Sequence, residues 1–149
     1  MKKILVCALI GAALLGCCLV STKSGPSAPE LRGTWTGEAR FLDRDLAKEY
    51  GSFAVDIEVH ADDSVSGTLG SAALTDAVAL GRAEDFVIKG GLKGHVFEGG
   101  TMLDEENDCV VFILSPPAGV ATAGNIHLKS NPIFDANMRV CGVELTRKD

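Results

Sequence analysis

Three histidines are the residues of this chain best suited to metal binding or acid–base chemistry. His60, His95 and His127 are far apart in sequence, and none has a second ligand at the spacing of a zinc site. The acidic run at residues 104–108 lacks the glycine and the final glutamate that a calcium loop needs. Because no titratable set converges on one predicted pocket, we predict no metal site, no cofactor and no enzyme activity.

Cysteine is the other residue type that could do chemistry. Cys109 and Cys141 both lie in apolar runs near the carboxyl end of the chain. An oxidising compartment would favour a disulfide between them, whereas two buried free thiols would suit the apolar surroundings. The sequence does not give the separation of the two Cα atoms, so both alternatives stay open.

The first residues have the organisation of an export signal. Lys2 and Lys3 precede an apolar stretch of 12 residues, 4–15. This stretch is short for a membrane-spanning helix, which needs about 20 residues. The segment ends in Leu14-Leu15-Gly16-Cys17, with leucine three positions before the cysteine and a small residue directly before it.

This tetrapeptide resembles the lipobox of bacterial lipoproteins. The resemblance implies cleavage after Gly16 and lipid attachment to Cys17, so the expected partner is a lipid bilayer. Cys18 stands where enterobacterial lipoproteins of the inner membrane carry aspartate. We therefore expect a bacterial cell-envelope protein, on the periplasmic side of the outer membrane if the organism has one.

We divide the chain into a signal peptide (residues 1–16), a lipidated tether (17–31) and one folded domain (32–149). The tether contains Pro26 and Pro29 and has no apolar period, which is typical of a linker. Without residues 1–16, the chain keeps 12 basic and 20 acidic residues, a net charge of −8. This charge argues against nucleic acid as a partner.

The folded domain has a period of two, beginning with Gly33 and the only tryptophan, Trp35. Such alternation is typical of half-buried strands joined by short turns. Eight consecutive strands predict an all-β, antiparallel up-and-down barrel, with a β-sandwich as the alternative. The predicted strands are residues 33–41, 53–59, 64–69, 86–92, 96–103, 109–114, 123–129 and 137–146.

Two connections break the alternation. Residues 43–52 are interpreted as a surface connection, with a short helix capped by Asp43 and ended by Gly51 as the alternative. Residues 70–85 would be an unusually long loop for a compact domain. This segment either extends the third strand through a bulge or holds a short helix at residues 72–80.

Gly33-x-Trp35 at the start of the first strand resembles the Gly-x-Trp motif of the calycins, the lipocalin and avidin-like barrels. These families place a basic residue after the last strand, over the tryptophan ring. Arg147 occupies that position here, so the resemblance implies a Trp35–Arg147 pair that closes one barrel end. The middle motif of the lipocalins and the ligand-binding lumen residues of avidin have no counterpart, so the families' ligand chemistry does not carry over.

Two functions fit this barrel. A non-catalytic interaction module would bind an envelope protein through its outer surface, and a bacterial metalloprotease-inhibitor barrel that also opens with Gly-x-Trp supports that interpretation. The alternative is a carrier of a small apolar ligand, because ligands bind in the mouths of barrels. The carrier would use the inward-facing residues of the candidate lumen, Phe53, Val55, Ile57, Phe86 and Ile88.

Overall fold

A computed structural model of the chain describes residues 26–97, 108–129 and 138–149. These residues form a closed barrel of eight antiparallel strands with one short α-helix. A 3₁₀ helix, η1 (Pro29–Leu31), precedes the barrel and helix α1 (Arg44–Tyr50) follows the first strand. The strands are β1 (Gly33–Phe41), β2 (Ser52–Val59), β3 (Ser64–Leu69), β4 (Ala72–Gly81), β5 (Phe86–Lys93), β6 (Asp108–Leu114), β7 (Ala121–Lys129) and β8 (Met138–Lys148).

The strands pair in chain order, and the barrel closes where β1 pairs with β8. In that seam Trp35 lies opposite Arg147 and Phe41 lies opposite Cys141. Closure gives β1 and β8 partners on both sides, so neither strand is a free sheet edge. The up-and-down barrel is therefore confirmed, and the β-sandwich alternative is wrong.

Alternation of side chains builds the core inside the barrel. In β2, the inward residues are buried and their neighbours in sequence are exposed, without exception along the strand. The inward residues of the other strands join the same apolar cluster. Since the curvature of a small barrel brings opposite walls together, one core fills the space between them.

The strand assignment from sequence was wrong in two places. Residues 72–81 form strand β4, not a helix, with a register shift between Thr75 and Val78 and a positive φ of 48° at Asp76. β5 pairs directly with β6, so the barrel has no strand between them, although one was predicted at residues 96–103. Residues 98–103 lie outside the described residues. The predicted number of eight strands is correct because β4, which was not predicted, is one of the eight.

Helix α1 forms where a surface connection was the first interpretation. The Asp43 carboxylate accepts hydrogen bonds from the backbone N–H groups of Asp45 and Leu46, each at 2.9 Å, and Gly51 ends the helix with a φ of 71°. These contacts satisfy N–H groups that a helix start leaves without partners.

The order of the strands gives the barrel two distinct ends. We call the end that holds η1, the start of β1 and the end of β8 the base. We call the opposite end, which holds α1 and the β3–β4 turn, the mouth.

Candidate functional site

Trp35 and Arg147 meet at the base. The guanidinium carbon of Arg147 lies 4.6 Å from the centroid of the Trp35 ring, which is 1% exposed. The indole Nε1–H donates to the backbone oxygen of Leu31 at 2.7 Å. A cation–π contact of this kind is worth about 1 kcal/mol or more when it is shielded from water. The pair therefore has a structural role at one end of the lumen.

Arg147 also holds the segment that leads into the barrel. Its Nη1 donates to the backbone oxygen of Arg32 at 2.9 Å, and its Nη2 donates to that of Glu30 at 2.6 Å. Ala28 and Leu31 are buried in the core cluster. Residues 28–31, assigned to the tether from sequence, thus pack as a plug that closes the base.

Asp63 fastens the same segment from the β2–β3 turn. Its Oδ2 accepts from the Ser27 hydroxyl at 2.7 Å, and its Oδ1 accepts from the Ala28 N–H and the Arg32 guanidinium at 3.3–3.4 Å. Burial alone would raise the pKa of Asp63. The hydrogen bonds from Ser27, Ala28 and Arg32, together with the charge of Arg32, outweigh burial and lower that pKa below 3.8.

We expect Asp63→Asn to lower the free energy of unfolding by about 1–2 kcal/mol at pH 7, because the charge-assisted bonds are lost. Asparagine tolerates the positive φ of 66° at this position. Since the native pKa is the lower one, the stability from Asp63 is complete above pH 3.8 and is lost as the pH falls below it. Urea unfolding at several pH values measures this, and the variant should have a weaker acid dependence than the wild type.

The matched control is Glu84→Gln, which removes a carboxylate from an exposed position in the β4–β5 loop at the same end. It should unfold like the wild type at every pH. An unchanged acid dependence in Asp63→Asn would contradict the assignment of that dependence to Asp63.

The candidate lumen residues all lie in the core. Phe53, Val55, Ile57, Phe86 and Ile88 are between 0% and 8% exposed, and Val55 and Ile88 are at 0%. Apolar side chains of one core cluster therefore pack around these five residues inside the barrel.

An aromatic cluster closes the mouth. The rings of Tyr50 and Phe97 have centroids 4.9 Å apart, and both rings contact Phe41. Phe53 lies 5.5 Å from Phe97 in a T-shaped arrangement, which links the cluster to the lumen. Tyr50 is the last residue of α1, so the helix positions one of the closing rings.

Of the two alternatives left open for Cys109 and Cys141, the disulfide between them is wrong, and the buried free thiol is correct for Cys141. Cys141 is a free thiol at 0% exposure, and burial raises its pKa to about 12. Cys109 is disulfide-bonded, but not to Cys141. Cys141 lies across from inward-facing Ile126, whereas Cys109 alternates with inward-facing Val110. The two side chains therefore lie on opposite faces of the wall, with β7 between their strands.

A groove of about 670 Å³ runs over the outside of β1, β8 and β7, and we call it the outer groove. Glu38 and Glu144 are direct cross-strand neighbours in it, which places two negative charges side by side. Arg40 lies opposite Gly142 one step further along the same wall. The outer groove is thus charged and open, in contrast to the apolar lumen.

The described residues supply little chemistry beyond these contacts. Within residues 26–97, 108–129 and 138–149, no three metal-ligating side chains come together. His60 shares a 2.9 Å hydrogen bond with Ser66 on the outer surface. In the same part of the chain, no helix has the length and apolarity to cross a membrane. Cys17 lies outside the described residues, so its acylation remains a prediction.

The interactions of the base plug were missed from sequence. Ser27 and Arg32 lie more than 30 residues from Asp63 along the chain, and no local pattern links them. The Asp62-Asp63 pair indicated only a turn. Comparison of the chain with protein-family models, curated proteins and solved structures finds no significant match. The fold itself therefore gives the class: a small closed antiparallel barrel with an apolar, filled interior.

Proposed function

We propose that this chain is a lipid-anchored lipoprotein of a bacterial envelope whose barrel is a non-catalytic interaction module. The filled lumen carries the proposal. The lumen residues are buried, the plug at residues 28–31 closes the base, and the aromatic cluster closes the mouth. With the interior occupied by side chains, the outer wall is the surface left for a partner.

The outer groove is a concave part of that wall and offers a surface for a partner. The groove is lined by residues with small side chains or none, Ala123, Gly124 and Gly142, and by the carboxylates of Glu38 and Glu144. A partner with exposed basic side chains would relieve the repulsion between these two carboxylates. The calycin-like base supports kinship with barrels that bind other molecules, but the ligand chemistry of those families is not part of the proposal.

Carriage of a small apolar ligand is the second candidate, and one observation favours it. The mouth is closed by half-buried aromatic side chains, Tyr50 and Phe97, and one of them belongs to a helix of only seven residues. A movement of α1 would expose the cluster, and Gly51, which joins α1 to β2, has open space around its Cα. Under this alternative the protein would carry ligand when it is taken from its host.

Mass spectrometry of the full-length protein, extracted from host membranes in mild detergent, tests both parts of the proposal. We expect a denatured mass that lacks residues 1–16 and includes diacylglycerol and an acyl chain on Cys17. We expect a native mass with no further small molecule. A reproducible extra native mass of a few hundred daltons would overturn the interaction module in favour of the carrier.

The variant Cys17→Ser should lose the lipid mass and leave the membrane fraction, because one cysteine thiol carries the anchor. The matched control Cys18→Ser should keep both the lipid mass and the membrane location. Lipid on Cys18, or an unmodified Cys17 in the wild type, would contradict the assignment of the anchor.

A further inference from the structure

A serine, a histidine and a glutamate meet on the outer surface of the β2–β3 hairpin. Oγ of Ser66 lies 2.9 Å from Nε2 of His60, and the other ring nitrogen, Nδ1, lies 3.6 Å from Oε1 of Glu58. A nucleophile, a general base and an orienting carboxylate have this order in enzymes that transfer acyl groups. The hairpin therefore brings together the three groups that activate a serine.

The strand register accounts for this arrangement. Glu58 and Ser66 are direct cross-strand partners, and both are exposed because their neighbours in sequence face the core. A Cβ on Gly67 would overlap the backbone oxygen of Asp56, so β3 approaches β2 closely beside Ser66. His60 follows the end of β2, two residues from Glu58, and its side chain therefore lies on the same outer face.

The turn after β2 holds His60 by its backbone. The N–H of His60 donates to the backbone oxygen of Ser64 at 2.8 Å, and its backbone oxygen accepts from the N–H of Asp63 at 3.0 Å. Because the backbone is already ordered, the imidazole has less conformational entropy to lose when it contacts Ser66. The turn thus presents the ring to the hydroxyl.

The two neighbours of the His60 ring favour one tautomer. The carboxylate of Glu58 only accepts hydrogen bonds, so the neutral ring is favoured with its proton on Nδ1, which faces that carboxylate. Nε2 is then the acceptor, and the Ser66 hydroxyl donates to it. In this tautomer the ring can take the Ser66 proton, and Glu58 stabilises the imidazolium that forms.

We propose that Ser66 is a nucleophile that accepts an acyl group from activated esters, with His60 as general base and Glu58 as a positioning residue. Oγ of Ser66 attacks the carbonyl carbon of an aryl ester while Nε2 of His60 takes the hydroxyl proton. The tetrahedral intermediate then expels the phenolate, which takes that proton from His60. The products are an acyl ester of Ser66 and a phenol.

The exposure of the three side chains sets the size of the effect. The side chains of His60 and Glu58 are 41% and 56% exposed, so a small ester reaches the Ser66 hydroxyl directly. Since water and salt screen the charges, we expect an acceleration of about a hundredfold, the lower end for general-base catalysis. The product is an alkyl ester with a poorer leaving group than the aryl donor, so the acyl group stays on Ser66. One transfer per chain is compatible with the proposed non-catalytic module.

Reaction of the full-length protein with p-nitrophenyl acetate tests the proposal. The protein in mild detergent is treated at neutral pH and quenched with acid at intervals. Tandem mass spectrometry of tryptic peptide 49–82 then locates the acetyl group. We expect acetylation of Ser66, about a hundredfold slower in His60→Gln. Equal rates in the wild type and His60→Gln, or no acetyl group on Ser66 in the wild type, would overturn the proposal.

Ser64 is the internal control for reactivity. It lies on the same strand two residues from Ser66, but its hydroxyl donates to the carboxylate of Asp62 instead of an imidazole. The same tryptic peptide reports both hydroxyls. We expect Ser64 to stay unmodified while Ser66 reacts. Equal acetylation of the two serines would show that His60 does not set the reactivity, and the proposal would fail.

Glu58→Gln tests the positioning role. It should slow acetylation of Ser66 about tenfold, and the double variant with His60→Gln should be no slower than His60→Gln alone, because Glu58 acts through the imidazole. Asp56→Asn is the matched control, since it removes a carboxylate from the same face of β2 that accepts from Thr36 instead. It should react like the wild type. An unchanged rate in Glu58→Gln, or multiplied effects in the double variant, would contradict the role of Glu58.

Release of p-nitrophenolate separates this proposal from the proposed function. The difference between the wild type and Ser66→Ala gives the release that depends on Ser66, and we expect one equivalent per chain. Many equivalents would sustain the nucleophile and overturn the non-catalytic module. No difference between the two proteins would overturn the nucleophile and leave the interaction module standing.

Discussion

Replacing Trp35 with alanine will lower the free energy of unfolding by about 3–5 kcal/mol, the range for deleting a buried aromatic side chain. The ring is almost fully buried in the core cluster and carries Arg147 on its face. Its loss leaves a cavity at the base and also leaves the backbone oxygen of Leu31 without its indole donor. Since the plug rests on this ring, residues 28–31 should loosen together with the base.

Urea unfolding followed by far-UV circular dichroism measures the effect, because the variant has no tryptophan to report by fluorescence. Trp35→Phe is the matched control: it keeps a ring beneath Arg147 and removes only the N–H donor and part of the volume. It should lose about 1–2 kcal/mol. A loss below about 1 kcal/mol in Trp35→Ala would mean that the base does not support the barrel.

Replacing Gly37 with alanine will destabilise the barrel by about 3 kcal/mol, near the upper end for overpacking. A Cβ on Gly37 would overlap the backbone oxygen of Glu144 and approach the Cα of Leu145 to 3.1 Å. Both obstacles are backbone atoms of β8, so only a separation of β1 from β8 makes room. That separation opens the seam at which the barrel closes.

Gly142→Ala provides the control on the same two strands. Its Cβ would meet only Cδ2 of Leu42, at 3.4 Å, and that side chain is exposed and free to rotate. Gly142→Ala should change stability by no more than about 0.5 kcal/mol. Differential scanning calorimetry of both variants gives the comparison. Equal effects would show that close approach at the seam is not what requires glycine at position 37.

The closed barrel was predictable because its strands follow one simple rule. In β1 and β2 every second residue faces the core, and short turns separate β2 from β3. Closure itself was also predictable, since an even number of strands joined as hairpins leaves two antiparallel edge strands that can pair with each other. The same parity placed the five lumen residues, but parity alone does not give the width of the space between opposite walls.

Strand β4 was not predictable by the same rule. The positive φ at Asp76 and the register shift between Thr75 and Val78 insert a bulge, which moves the inward positions from Ala72 and Leu74 to Ala77 and Ala79. Because the bulge shifts the alternation of inward and outward residues by one position, the sequence pattern of β4 does not differ from that of a loop or a short helix. β4 is also rich in alanine and has few of the β-branched and aromatic residues that are typical of strands.

The remaining differences between the predictions and the structure come from contacts between residues that are far apart in sequence. The base plug depends on Asp63 and Arg147, which contact Ser27 and Glu30 across 36 and 117 residues. The pairing of the cysteines depended on which face of the wall each thiol occupies. The sequence of residues 109–114 did not show this, because the strand is apolar on both faces. Without alternation between polar and apolar residues, the sequence does not indicate which side chains face inward.

The placement of Cys141 inside the wall and Cys109 outside it makes the order of folding events decisive. Hairpins and small barrels form in microseconds to seconds, whereas thiols oxidise over seconds to hours. A chain that closes its barrel first removes Cys141 from further oxidation, so the thiol outside can pair only with what remains. A chain that oxidises first can trap Cys109 with Cys141, and that bond prevents closure because it pulls both side chains through the same wall. Barrel closure thus keeps Cys141 as a free thiol by burying it before it can be oxidised.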